Sequence, residues 1–266
     1  MSDPLPGLKS TAFVLLGIAG LIFYYRISIR PLLGAPRELW LIYITKILEI
    51  IAYGLMSSTI VLWLSADLNF SDTSAGDTIA IWSTILTLVT VLVGSLVDTI
   101  GIRKSFLLGF WLCLIPRAVM TATDSPWVAL GFGLFPMAVG LALMVPVMNA
   151  AIKRYSTTKQ QTIAFAVFYT FMNVGFAIAG WLFDAVREEL GENGTQVLLG
   201  MELSTYRVLF FWATAATIPG LLITHFWLRR GIEATDDGII HHPQPLAVQS
   251  TGFLNGILQS MKDAGQ

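Results

Sequence analysis

Residues 94–105 read GSLVDTIGIRKS, and this short stretch separates two long apolar runs. It gathers an aspartate, two glycines, an arginine and a lysine in a chain whose residues are 55% hydrophobic and only 12% charged. The mean hydropathy of +0.70 exceeds what a soluble domain of this size usually tolerates. We therefore expect an all-α integral membrane protein in which residues 94–105 form a turn between two spans.

Six apolar runs are long enough to cross a membrane as helices. A hydrocarbon core of about 30 Å needs roughly 20 helical residues. The predicted spans 1 to 6 cover residues 39–64, 78–97, 105–122, 127–152, 162–185 and 208–228. These spans predict a six-helix unit over residues 38–230.

A weaker run at residues 10–25 precedes the six spans. It could be a secretory signal, but no small-residue cleavage site follows it, whereas Arg26 and Arg30 do. We interpret residues 1–37 as an uncleaved anchor span, with its N-terminus outside, and a basic linker. Residues 231–266 are predicted to be a tail in which apolar residues recur at helical spacing from Phe253 to Met261. This amphipathic helix either lies in the membrane interface or packs under the bundle.

Basic and acidic loops alternate along the six-helix unit. Lys and Arg in short loops are retained on the cytoplasmic side. Arg103 and Lys104 follow span 2, and basic residues also precede span 1 and follow spans 4 and 6. The intervening loops are acidic, as with Asp67 and Asp124. The alternation predicts that the unit begins and ends in the cytoplasm, with a cytoplasmic tail.

The composition excludes several classes of function. The single cysteine, Cys113, lies within an apolar run, and only three histidines are present. These counts argue against a disulfide framework, a metal site and a metalloenzyme. The polar loops contain no nucleophile–base pair or phosphate loop, so we expect neither an enzyme nor a cofactor. The net charge of −1 gives no indication of a nucleic-acid partner.

The turn at residues 94–105 can be explained by structure alone. Gly94 lets a neighbouring helix approach, and Gly101 lets the backbone reverse. Asp98 can cap free backbone amides or face the N-terminus of another helix. Arg103 and Lys104 keep the turn on the cytoplasmic side. A simple basic turn and a functional loop are both consistent with these residue types.

The spacing within the turn resembles the G-x-L-x-D-x-x-G-x-R-K loop between the second and third helices of the major facilitator superfamily. The resemblance covers roughly residues 38–230 and implies the N-terminal six-helix half of that fold. The apolar run at residues 10–25 adds one extra N-terminal transmembrane helix to this half. In the family this loop is a cytoplasmic gate latch whose aspartate meets a helix of the C-terminal half. The resemblance implies this role for Asp98, with Arg103 as its basic companion. The implied gate loop consists of Gly94, Asp98, Gly101, Arg103 and Lys104.

A second stretch is similar to the proton-coupled oligopeptide transporters within that superfamily. Their fourth and fifth helices carry G-x-G-L-x-K-P and F-Y-x-x-x-N-x-G patterns. The matching positions are Pro146, Phe168, Tyr169, Asn173 and Gly175. The family's lysine position is Val145 here, and its E-x-x-E-R motif is reduced to Glu49 with Tyr53, preceded by Lys46. The resemblance implies descent from this branch without the groups that bind a peptide carboxylate and couple protons.

Three ionisable residues stand out inside the spans, where an unpartnered charge is costly. Lys46 and Glu49 lie three residues apart, hence on one helical face, and either pair or line a cavity. Glu49 buried without Lys46 would be a candidate proton carrier. Tyr53 continues this face. Arg117, beside Pro116, either extends to the outside or faces an anionic substrate.

Polar residues on spans 4 and 5 complete the predicted site. Asn149, Tyr169 and Asn173 form interhelical hydrogen bonds or contact a substrate. The full predicted substrate or proton path is Lys46, Glu49, Tyr53, Arg117, Asn149, Tyr169 and Asn173.

Two functions of different classes follow. Superfamily transporters usually have two six-helix halves, and this sequence supplies one. A truncated chain, a split transporter and a half-fold kept as a subunit all fit. The leading hypothesis is half of a secondary transporter, such as a symporter, that moves a small solute by alternating access once a second half is present. The alternative is a non-transporting subunit of a larger membrane complex. The expected partners are the lipid bilayer, a second half or other membrane subunits, and a small-molecule substrate.

Overall fold

The computed structural model describes residues 17–241, without the side chains of residues 94–96, 98 and 99. Six helices within this range are long and apolar enough to cross a membrane, which confirms a multi-pass integral membrane protein. They are α1 (Arg37–Ala66), α2 (Asp72–Ile100), α3 (Ile102–Ala122), α4 (Pro126–Arg154), α5 (Gln161–Leu190) and α6 (Thr205–Trp227). Each contains most or all of the span predicted at its position.

The segment before α1 is also helical. Residues 17–24 are α-helical, and a π-helical turn (Tyr25–Ile29) and a 3₁₀ turn (Arg30–Leu32) follow. The Gln160 side chain donates a hydrogen bond of 2.9 Å to the Pro31 carbonyl, which ties this segment to the α4–α5 loop. The first part of the predicted anchor and the predicted amphipathic tail helix lie outside the described residues.

Two short antiparallel hairpins occur where the sequence predicts only loops. They are β1 (Thr195–Leu198) with β2 (Met201–Ser204), and β3 (Ile232–Thr235) with β4 (Gly238–His241). In the first hairpin Leu199 and Gly200 both have positive φ, of 53° and 78°, as a two-residue hairpin turn requires. The hairpins lie outside the six spans, so the membrane fold remains all-α.

Helix α1 runs through the middle of the bundle. It packs mainly against α5 and α6, while α3 packs against α4 and α6, and α2 packs against α4. The buried Trp63 of α1 meets Phe210 of α6 edge to face, with ring centroids 5.1 Å apart. Trp82 of α2 donates a hydrogen bond of 2.8 Å to the Leu134 carbonyl of α4. Interior aromatic residues thus join α1 to α6 and α2 to α4.

Two glycines allow close helix contacts. A Cβ on Gly140 of α4 would lie 2.7 Å from the carbonyl carbon of Leu112 in α3. Pro116 has no N–H to donate to the Leu112 carbonyl oxygen, so this oxygen lacks the usual helical partner four residues later. A Cβ on Gly175 of α5 would lie 2.8 Å from Cβ of Ile50 in α1. Both contacts depend on the missing side chain.

The bundle has an acidic end and a basic end. We call the α1–α2, α3–α4 and α5–α6 connections the acidic end. There the Ser204 hydroxyl donates to Asp67, and Arg207 forms an ion pair with Asp124. Arg207 also donates a hydrogen bond of 2.8 Å to the Thr121 carbonyl. Burial raises the pKa of Asp67, although Ser204 and Arg207 act to lower it.

The opposite end, which we call the basic end, joins the start of α1 and α3 to the end of α6. Arg229 holds Glu38 with two hydrogen bonds, at 2.6 Å from Nε and 3.2 Å from Nη2. Arg103 donates to the carbonyls of Thr224 and His225 in the last turn of α6. Both ends of the bundle are thus closed by contacts between helices distant in sequence.

Candidate functional site

Lys46 and Glu49 form a buried ion pair on α1. Lys46 Nζ lies 3.0 Å from Glu49 Oε2, and the two side chains are only 9% and 7% exposed. The ammonium also lies 5.1 Å from the ring centroid of Phe168 on α5, a cation–π contact. Of the two alternatives for these residues, the structure has the self-neutralised pair.

The α1–α5 contact determines the surroundings of this pair. Gly175 brings α5 against Ile50, one residue after Glu49. The Tyr43 hydroxyl donates a hydrogen bond of 3.0 Å to the Ala164 carbonyl in the first turns of α5. Tyr53 is half-buried, with its ring 6.2 Å from that of Phe176. The polar face of α1 is therefore covered by α5.

Arg117 occupies a different place, between α3 and α6. It is 1% exposed, so it does not extend to the outside. Its Nη1 donates a hydrogen bond of 2.7 Å to the Thr217 hydroxyl, which in turn donates to the Ala213 carbonyl. Its Nε and Nη2 have no hydrogen-bond partner, and no acidic side chain pairs with it, among the described residues. Arg117 is a buried cation whose charge is not balanced by these residues.

The remaining predicted path residues are on α4 and α5. Tyr169 is 51% exposed, and Asn173 is exposed one turn later. The Asn173 amide donates a hydrogen bond of 3.0 Å to the Tyr169 carbonyl of its own helix. Asn149 is half-buried on α4. The seven predicted residues therefore do not form one cluster, and their part in a substrate path stays a prediction.

The gate loop is compact. Gly101 has a φ of 83° and is the single residue between α2 and α3, a conformation that glycine adopts without strain. Arg103 contacts the end of α6 as described above, and Lys104 is exposed. The side chain of Asp98 lies outside the described part of the chain. The proposed gating role of the loop therefore stays a prediction.

Sequence reasoning did not identify two partners of the buried charges. Phe168 belongs to the F-Y-x-x-x-N-x-G pattern, which does not indicate a contact with Lys46, and Thr217 belongs to none of the motifs described above. Each lies on a different helix from its partner, 122 and 100 residues away. The signal that was available, i and i+3 spacing, finds only neighbours on the same helix.

Solved structures with a similar fold are known. One is a peptide transporter POT in complex with sulfate, at 16% identity and a TM-score of 0.62, covering 73% of this chain and 38% of that one. Tetrameric PepTSo2 has 19% identity and a TM-score of 0.60, covering 84% and 47%. A bacterial homologue of the human drug peptide transporters PepT1 and PepT2 has 20% identity and a TM-score of 0.58, covering 84% and 50%. The chain thus spans half or less of each of these proteins.

The sequence itself gives a family. No curated protein matches it significantly. The family model described as the Major Facilitator Superfamily matches residues 42–258, which include all of α2 to α6 and most of α1. With six apolar helices and the similarity of fold, this match shows that the chain belongs to the Major Facilitator Superfamily.

Proposed function

We propose that this chain is one six-helix half of a secondary transporter that moves a small solute by alternating access, together with a second six-helix unit. Membership of the Major Facilitator Superfamily supports a transport function. The aligned part of this chain covers only 38% and 47% of two of the similar solved structures, so each has ample further length for a second unit, which supports the proposal.

The observation that carries the proposal is the uneven burial of the helices. In the most apolar stretch of each helix, the buried share of residues is only 6% in α2 and 28% in α5. The same share is 56% in both α1 and α4. Polar Tyr169 and Asn173 lie on the exposed side of α5. Polar groups are unfavourable against lipid and are typical of helices that face a cavity or another helix. We infer that α2 and α5 face the second unit across a water-filled path.

The residues next to this path give some indication of the solute. Val145, at the lysine position of the oligopeptide transporters, is 50% exposed on α4 and offers no charge to a peptide carboxylate. Lys46 and Glu49 neutralise each other. We infer a small solute other than a peptide, with Tyr169, Asn173 and Asn149 as its hydrogen-bonding contacts.

The proposal includes an orientation in the membrane. Lys and Arg in short loops are retained in the cytoplasm, so we assign the basic end to the cytoplasmic side. Residues before the N-terminal anchor span are then outside, and the tail is cytoplasmic. Asp98 and Arg103 would belong to a cytoplasmic gate, in which Asp98 meets a helix of the second unit.

Cysteine labelling tests the water-filled path without knowledge of the substrate. Cys113 is the only cysteine and is buried, so Cys113→Ala provides a background without thiols. In this background, Tyr169→Cys is expected to react with a water-soluble thiol reagent at least about tenfold faster than Ile178→Cys, because the thiolate forms only in water. The measurement is made in membranes of the native host, where any partner is present.

Ile178 is a matched control. It lies on α5 nine residues after Tyr169, which at about 100° per residue places it on the opposite side of the helix. It is also partly exposed, at 37%. Equally slow labelling at both positions would contradict a water path and would favour the alternative of an assembly subunit.

A further inference from the structure

A small cleft opens at the basic end of the bundle. It has a volume of about 110 Å³ and lies between the α2–α3 turn, the end of α4 and the segment after α6. Sites for drug-sized ligands measure roughly 300–1,000 Å³. The cleft is therefore large enough for one small chemical group but not for a drug-sized ligand. It is separate from the proposed transport path.

Among the described residues, no acidic side chain lines this cleft, whereas five cations do. They are Arg103, Lys104, Arg154, Arg229 and Arg230. Two of these cations are paired with carboxylates that do not line the cleft. Glu38 is bound by Arg229, and Glu233 lies 3.7 Å from Arg154. Five cations less two carboxylates leave three positive charges around one cleft, among the described residues.

The hydrogen bonds of these cations are also incomplete. Arg154 Nε and Nη2 are shielded from solvent and have no hydrogen-bond partner among the described residues. Lys104 and Arg230 form no ion pair with any residue that the structure describes. Among the described residues, Arg103 donates to two neutral carbonyls and to no carboxylate. Several charged donors at the cleft thus have no anionic acceptor among the described residues.

Neutral donors line the same cleft. The first turn of α3 begins there at Ile102, and the residue before it, Gly101, has no side chain to cap the free N–H groups. The N-terminus of a helix attracts anions. The buried Tyr155 is also at the cleft, and burial raises the pKa of its phenol, so the hydroxyl stays protonated.

We propose that this cleft is a binding site for a phosphate group. A tetrahedral phosphate offers several acceptor oxygens to converging arginine, lysine and backbone donors, and arginine binds it with two parallel hydrogen bonds. The cleft lies where the apolar helices α3, α4 and α6 begin or end. Both the headgroup of an anionic lipid and free phosphate can reach this depth.

Thermal unfolding of the purified full-length chain in a neutral detergent tests the proposal. Phosphatidylglycerol and inorganic phosphate are titrated separately, with phosphatidylcholine and chloride at matched ionic strength as references. A ligand that binds the folded state raises the unfolding temperature. We expect at least one of the two phosphate probes to stabilise the chain more than its reference. Stabilisation by phosphatidylglycerol alone assigns a lipid headgroup, and stabilisation by inorganic phosphate assigns a free anion.

Neighbouring residues on α4 provide matched variants. Arg154→Gln removes a cation that lines the cleft, while Lys153→Gln removes an exposed cation that does not. Apparent affinity for the active probe is expected to fall about tenfold in Arg154→Gln, as for the loss of one charge-assisted contact, and to stay within about twofold in Lys153→Gln. Lys104→Gln, at an exposed residue of the cleft, gives a second test if Arg154→Gln does not fold.

Two results would overturn the proposal. In the first, neither probe stabilises the unmodified chain beyond its reference. In the second, Lys153→Gln weakens binding as much as Arg154→Gln and Lys104→Gln, which would mean attraction by the general positive charge of this end. The test does not depend on transport, so its failure would leave the proposed function unaffected.

Discussion

Lys46 and Arg117 are both cations buried within the apolar helices, but their surroundings differ. Lys46 has the Glu49 carboxylate at 3.0 Å and the Phe168 ring at 5.1 Å. Arg117 has one hydrogen bond, of 2.7 Å to Thr217, and two nitrogens without a partner among the described residues. Among the described residues, the α1–α5 site is neutral, whereas the α3–α6 site has an unbalanced positive charge.

The two buried cations place different requirements on the residues around them. A pair that neutralises itself needs both members, because removing one leaves a buried charge. The Arg117 guanidinium is already a buried charge without a counterion among the described residues. Its removal should therefore lower the stability of the folded protein very little. The two sites should therefore respond in opposite ways when a charge is removed. The following variants test this contrast, and stability is measured by unfolding the purified protein in detergent.

Removal of the Glu49 charge is expected to have the largest effect. Glu49→Gln leaves the Lys46 side chain, which is 9% exposed, without its counterion. Breaking a buried pair on one side costs about 3–5 kcal/mol. The double variant Lys46→Met with Glu49→Gln removes both charges and should recover at least half of the loss. A double variant as unstable as Glu49→Gln would show that the pair does not act as a unit.

Thr217→Val tests the single hydrogen bond of Arg117. The valine has a similar shape but accepts no hydrogen bond, so all three guanidinium nitrogens would lack partners among the described residues. A loss of about 1.5–3 kcal/mol is expected for a hydrogen bond to a charged group. Thr214→Val is the control, since the Thr214 hydroxyl donates only to its own helix. Equal effects of the two substitutions would mean that the Arg117 contact is not important.

Gly175→Ala tests the packing that covers the Lys46–Glu49 pair. The new Cβ would lie 2.8 Å from Ile50 and 3.0 Å from the Ile47 carbonyl, so α1 and α5 must move apart. Overpacking of this kind costs typically about 1–3 kcal/mol. Gly180→Ala on the same helix meets no atom within 4 Å and should be neutral or slightly stabilising. If both variants are neutral, α5 does not pack against α1 as described.

Arg117→Met is expected to have the smallest effect. Replacing a buried charge by an apolar side chain of similar length is often neutral or stabilising. We expect the free energy of unfolding to change by less than about 1 kcal/mol or to rise, in contrast to Glu49→Gln. A loss as large as that of Glu49→Gln would show that Arg117 has a counterion in the folded protein, and the contrast would fail.

The sequence predicted the helices better than the contacts between them. Runs of apolar residues specify the six spans, and the three-residue separation of Lys46 and Glu49 places them on one helical face. The Arg117–Thr217 contact joins two helices, and its register depends on packing that no local pattern records. The first hairpin was missed for a similar reason, since its Leu199–Gly200 turn lacks the Asn-Gly or Asp-Gly signal.

The basic end shows the same limit for a candidate site. Its cations are visible in the sequence as the basic loops that predict orientation. Their convergence on one cleft brings together the start of α3, the end of α4 and residues after α6. A charge pattern along the chain predicts the side of the membrane, but only the fold reveals which charges share a cavity.

Native mass spectrometry after gentle extraction from the host membrane shows whether this chain forms a transporter with a second six-helix unit. We expect the chain, of 29.1 kDa, to be found with one further six-helix unit, because α2 and α5 expose so much of their surface. That result would lead directly to uptake assays with Asp98→Asn and Glu49→Gln. Several unrelated membrane subunits in fixed stoichiometry, or the chain alone, would contradict a transporter built from two halves.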